Sequence, residues 1–225
     1  MKFSLARGAL VLAASLTLAS CGGGKATFPI NVTVYGVLYP GLVLSTNGQD
    51  LAINPPATAG AEVVTAFANP IDYGTNYDVI PKGQVIDSTG AITSRGAEPK
   101  HQQCGIYSSN TVAYVAKATA GQFASIDVRY VCTLKSFTVG GSITNLTGTG
   151  LVLTNGSNGT ASPLPAATSY VVSNTVTYGN TYGITILAQP SGQTCTVTNN
   201  AGTIDDAVET AGSVSNANVT CVNNS

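Results

Sequence analysis

Residues 181–187 read Thr181-Tyr182-Gly183-Ile184-Thr185-Ile186-Leu187. Tyr182, Ile184 and Ile186 fall on one side of an extended chain and Thr181, Gly183 and Thr185 on the other, the period of a half-buried strand. The same pattern continues on either side. Short runs of Val, Ile, Thr and Tyr, at Phe137 to Ile143, Leu151 to Thr154, Tyr170 to Val176 and Thr194 to Thr198, alternate with Gly, Asn and Pro. No segment shows a helical period of comparable clarity. About seven strands at this spacing predict an all-β chain folded as a two-sheet antiparallel sandwich, with Asn47-Gly48 and Asn155-Gly156 as tight hairpin turns.

The chain reads as two copies of one unit. Gly41-Leu42-Val43-Leu44 recurs as Gly150-Leu151-Val152-Leu153, each followed by Thr-Asn-Gly, at 46–48 and 154–156. Further on, Tyr73-Gly74-Thr75-Asn76-Tyr77 matches Tyr178-Gly179-Asn180-Thr181-Tyr182. Pro81-Lys82-Gly83-Gln84 then matches Pro190-Ser191-Gly192-Gln193, and each copy ends at a Cys. The expected division is a first sandwich at 28–133 and a second at 134–225. Each is the size of one sandwich domain. On this alignment the first unit has gained about eighteen residues between Gln84 and Cys104. The inserted loop, 85–103, holds Asp87, Arg95, Glu98, Lys100 and the chain's one histidine, His101. A rigid sandwich commonly displays function on such a loop, so these five residues are the candidate interaction surface.

Residues 1–20 have the three parts of an export signal: Lys2 and Arg7, an apolar stretch from Ala9 to Leu18, and small residues before a break. The break, Leu18-Ala19-Ser20-Cys21, resembles the bacterial lipobox, which implies cleavage before Cys21 and its acylation. Gly22-Gly23-Gly24 follows as a flexible tether, so residues 21–27 are expected to link a lipid to the first sandwich. Gly22, where inner-membrane retention signals carry Asp, implies the outer membrane. Assigning Cys21 to lipid leaves Cys104, Cys132, Cys195 and Cys221. The nearly equal intervals within the two units select Cys104 with Cys132 and Cys195 with Cys221. Such bonds persist in an oxidising compartment.

The second unit, with Val139-Gly140-Gly141-Ser142-Ile143, Gly150 to Leu153, Tyr182, Gln189-Pro190-Ser191-Gly192-Gln193-Thr194-Cys195 and the closing Cys221, resembles a repeat of proteobacterial surface lipoproteins. The resemblance spans 137–221. It implies an immunoglobulin-like or transthyretin-like sandwich, often in tandem, with no assigned catalytic residue. The first unit departs from the pattern: it is about four residues shorter between Gly36 and Gly41 and carries the insertion.

Composition narrows the chemistry. Of 225 residues only 8% are charged, against about 25% in an average domain, and the net charge is −1. A nucleic-acid partner is therefore excluded, and no metal or cofactor is expected. A zinc site at His101 and Cys104 would need two more ligands, and the chain has no second His. His101 with Ser108 or Ser109 lacks the third group and oxyanion site of a hydrolase. Asp205, Asp206 and Glu209 lack the spacing of a calcium loop and read as a solvated turn, and His101 is expected to face solvent. Tyr35 and Tyr39 are spaced to share a strand face. Seven of ten Tyr lie in the first unit, which keeps glycan binding open. All mature Lys and Arg precede residue 136, so beyond Lys135 the second unit carries only acidic charge. Ala161 to Ser169 is rich in small residues and Pro, like segments that bacterial O-glycosylation modifies. The expectation is a non-catalytic, lipid-anchored envelope protein, a structural or adhesion module held to the membrane by its lipid and meeting another envelope or host-surface protein. A periplasmic assembly subunit and a carbohydrate-binding accessory or hydrolase are the alternatives.

Overall fold

A computed structural model of the chain describes residues 25–107 and 116–225. Cys21, the signal segment, Ser108 and Ser109 lie outside the described residues. The described residues are all-β apart from one short helix, Asp206–Ala211. No helix among the described residues is long and apolar enough to cross a membrane.

Each unit closes its own core. In the first, Ile30–Tyr35 alternates buried and half-buried positions along its length, and Ile126–Leu134 alternates buried with exposed or half-buried ones, with Ile126, Val128, Tyr130 and Cys132 inward. These strands form one sheet in the order Gln102–Ile106, Ile126–Leu134, Ile30–Tyr35, Val63–Ala66. A smaller sheet, Gln49–Ile53, Leu42–Thr46 and Ile80–Pro81, supplies Leu42, Leu44 and Ile53 to the same apolar cluster. Tyr130 ties the core together by donating its hydroxyl to the carbonyl of Val79 at 2.7 Å, and burial pushes that phenol well above its ordinary range. In the second unit Ser136–Thr144 and Asn218–Asn223 take the places of Ile30–Tyr35 and Ile126–Leu134, with Gln193–Thr198 outside them. The sheet of Thr160–Ala161, Val152–Asn155, Thr181–Ala188 and Ala201–Thr203 completes a separate cluster around Leu151, Leu153, Ile184 and Val219. The strand read first in the sequence has Ile184 buried with Tyr182 and Ile186 half-buried on the same face.

The pairing is antiparallel with one exception repeated in both units. Ile30–Tyr35 pairs in parallel with Ile126–Leu134 over six residues, and Ser136–Thr144 pairs in parallel with both Ser213–Val214 and Asn218–Asn223. First and last strands of a unit therefore run the same way, so the chain enters at one end and leaves at the other. Only Lys135 separates the last strand of unit one from the first strand of unit two.

Both cysteine pairs are bonded as the intervals indicated, over sequence separations of 28 and 26. Cys104 lies directly opposite Cys132 in an antiparallel ladder, and Cys195 opposite Cys221. Each bond thus joins neighbours within one sheet, with all four side chains in the core.

Two local expectations change. Asn47 and Gly48, both at positive φ, make a tight two-residue turn between Leu42–Thr46 and Gln49–Ile53, as read. Asn155-Gly156 does not. Asn155 ends its strand buried, and its side chain accepts from the Gly183 N–H at 2.7 Å, so the turn runs on to Gly159 before pairing resumes. Tyr39 lies past the end of Ile30–Tyr35 and shares no strand face with Tyr35.

Candidate functional site: the joint between the units

The joint is built on a turn that occurs twice. In unit two, Gln193 is 3% exposed, and its side-chain oxygen accepts from the N–H groups of Thr147 and Gly148, both at 2.8 Å. Its amide donates to the carbonyl of Asn145. In unit one the same work is done by Gln102, fully buried, accepting from Leu38 and Tyr39 and donating to Gly36. The Gln102 N–H reaches Pro99 as the Gln193 N–H reaches Pro190, and Glu98 accepts from the Cys104 N–H as Gln189 does from Cys195. Glu98 to Cys104 is therefore the counterpart of Gln189 to Cys195, residue for residue.

This corrects the sequence alignment. Pro81 to Gln84 is not the repeat's turn, and the insertion is 83–96. Ala97 donates back to the carbonyl of Lys82, closing its base. The five candidate residues divide accordingly. Asp87 sits on the inserted hairpin of Val85–Ile86 and Ile92–Ser94, where its carboxylate accepts from Thr89 and Ala91. Those bonds, the Thr89 side chain's above all, hold its pKa below the ordinary value. Arg95 bonds the Glu98 carboxylate at 2.8 Å and the Cys104 carbonyl at 3.4 Å, so this ion pair replaces the single Gln189 amide of unit two. Lys100 and His101 leave their own unit altogether.

Where unit two has Gly192 at φ 70°, unit one has His101 at φ 63°. A side chain in this left-handed region costs about 1 kcal/mol or more relative to Gly. What holds it is the second unit. The imidazole, 5% exposed rather than facing solvent, stacks on Tyr178 with ring centres 3.7 Å apart and planes within 12°. Tyr39 meets it edge-on at 4.9 Å. Nδ1 hydrogen-bonds to the Glu209 carboxylate, and Nε2 faces Asp206 at 3.4 Å. Lys135 donates to the other Glu209 oxygen at 2.5 Å, Lys100 to Asp206 at 2.8 Å, and the Tyr178 hydroxyl to Asp206 at 2.6 Å. That last bond pushes the Tyr178 phenol up to about 12.

The acidic side of the joint rests on the short helix. Asp205 caps it, accepting from Ala207 and Val208, and Gly212 ends it at φ 81°. Asp206 and Glu209, three apart, share one face. The residues expected to be a solvated turn are thus a cap and two partners of unit one, and they are every Asp and Glu that unit two possesses. Replacing Asp205 by Ala removes the cap but neither partner. It should loosen the joint through the helix alone, by about 1 kcal/mol, read as a small drop in docking stability by calorimetry.

His101, Asp206 and Glu209 place one ligand atom each within 4.8 Å of one another. The two carboxylates approach opposite nitrogens of one ring. Each carboxylate also has an ammonium partner already. The arrangement is a charge clamp.

No family model matches the chain, and no curated protein matches it.

Proposed function

We propose that the chain is a non-catalytic, lipid-anchored module of the bacterial outer membrane whose two sandwiches form a stalk. The first unit stands next to the lipid and the second carries its far-end loops to an envelope or host-surface partner. The observation that carries this reading is the joint. A protein that only needed two binding domains on a string would be served by a flexible linker. Here one residue separates the strands of the two units, and two of unit two's three acidic groups, Asp206 and Glu209, are committed to holding it against unit one, with the third capping the helix that carries them. At the far end Leu164 is 76% exposed between Pro163 and Pro165, and the Gly192 turn, without the histidine of its counterpart, is tied through Gln193 to the same 145–148 segment that Ala166 bonds. A stalk that presents those loops uses the fold's rigidity directly.

Fractionation and protease shaving test it together. Cys21→Ser should move the protein from the membrane to the soluble fraction. A C-terminal tag on the native protein should be digested on intact cells while a periplasmic control survives. Digestion only after lysis would favour the periplasmic-subunit reading, and a Cys21→Ser protein still in the membrane would remove the lipid.

A further inference from the structure

We propose that the tether end of unit one is a membrane-seated tip, with Tyr73 and Phe123 resting in the headgroup layer of the bilayer that holds the chain. This rests on the lipid anchor at Cys21. Tyr73 is 62% and Phe123 51% exposed, more than any other aromatic side chain among the described residues, and both lie at the same end of the same unit. Backbone geometry fixes them there. The Tyr73 N–H donates to the carbonyl of Ala26 at 2.7 Å, and the half-buried Phe28 ring lies 6.4 Å from the Tyr73 ring. The Tyr73 ring also lies against Gly121, so closely that a Cβ there would fall 2.3 Å from a ring carbon. Gly121 belongs to a turn closed by Gln122 onto Thr119, which leads into Phe123.

Chain length supplies the partner. Five residue steps join Cys21 to Ala26, at most about 18 Å when fully extended and about 12 Å on average for a Gly-rich coil. The tip therefore cannot leave the immediate surface of the bilayer. The joint faces away from it, because Ile126–Leu134 runs from the tip to the joint over nine residues, about 30 Å. Tyr73 has the amphipathic ring with a polar edge that settles at headgroup depth, and Phe123 beside it adds apolar area to enter the boundary below. The nearby charges are mixed, Lys25 against Asp72 and Asp127, and Asp127 is bonded by Ser125 and Asn31. The surface therefore fits a zwitterionic interface and has no call for anionic lipid.

The chain has no Trp, so Phe123→Trp introduces a single reporter. The lipidated variant is placed in phosphatidylcholine vesicles containing a headgroup nitroxide lipid, with Tyr73→Trp as a second position and Leu164→Trp as the far-end control. We expect emission shifted to the blue and quenched roughly twofold or more at both tip positions, no quenching at 164, and the same result at high salt or with added anionic lipid. Flotation reports the anchor separately. A protein that floats with unquenched tip reporters keeps its lipid and overturns the tip. Quenching at 164 alone overturns it too, by placing the other end at the bilayer. A protein that does not float loses the anchor, and the tip with it.

Discussion

Glu209→Ala is expected to separate the two units without unfolding either. One carboxylate accepts from both Lys135 and His101, and each charge-assisted bond contributes about 1.5–3 kcal/mol. The two share an acceptor and are not additive, so a loss of about 2–4 kcal/mol in docking follows. Alanine is the best helix former, so the short helix keeps its cap and its place. His101 keeps its left-handed backbone but loses the stronger of its two carboxylates. Calorimetry should then resolve two unfolding transitions where the native protein gives one, and backbone relaxation should show two tumbling bodies. A single transition at an unchanged midpoint would mean that the joint holds nothing together.

Acid should act in the same direction. Hydrogen bonds from Lys100 and then Tyr178 hold the Asp206 carboxyl below its ordinary range. For Glu209 burial pushes up, and the bonds and charges of Lys135 and His101 more than offset it, so the net direction is again down. Groups whose pKa is lower when docked stabilise docking above the free carboxylate value, about 4, and lose that contribution as pH falls through the lowered values. The same two-body relaxation signature should therefore emerge below about pH 4.

Replacing Cys104 and Cys132 together by Ala should be as damaging to unit one as Glu209→Ala is to the joint. The bond links strands that already face each other in the ladder, so it adds little to the folded geometry. Its effect falls on the unfolded chain, where it closes a loop of 28 residues, about 3–4 kcal/mol on the chain-entropy account. For a unit of roughly one hundred residues that lowers the melting midpoint by about 12–25 °C. Unit two retains Cys195–Cys221 and should melt where it did, which the Glu209→Ala background allows to be read separately. Equal shifts of both transitions would show that the units are not independent folding bodies.

The strands were legible because burial of one sheet face imposes a period of two, and the disulfides because the repeat places each pair at matching intervals. The repeat's register was not fully legible, and one residue explains why. Pro81-Lys82-Gly83-Gln84 shows the expected Gly, whereas Pro99-Lys100-His101-Gln102 shows His, so the false match looked better. The signal that separates them is the Gln two residues and the Pro five residues before each Cys, at Gln102 and Pro99 as at Gln193 and Pro190. The helix has six residues and none is fully buried, too few to display an apolar stripe. Its readable signs were Asp205 before it and Gly212 after it. The joint itself pairs His101 with Glu209, which lie more than a hundred residues apart, and only the folded chain brings them together.

The parallel pairing of first and last strands gives each unit a mechanical character. A pull between the two ends of the chain enters unit one along Ile30–Tyr35 and leaves along Ile126–Leu134, at opposite ends of two strands that run the same way. Their ladder, from Ile30 opposite Ile126 to Tyr35 opposite Val131, is loaded in shear, so its bonds share the force and must break together. A hairpin pulled from one end would instead unzip one bond at a time. Should the ladder yield, Cys104–Cys132 withholds the residues between them from the extension, and the unit stretches only part way before the disulfide takes the load.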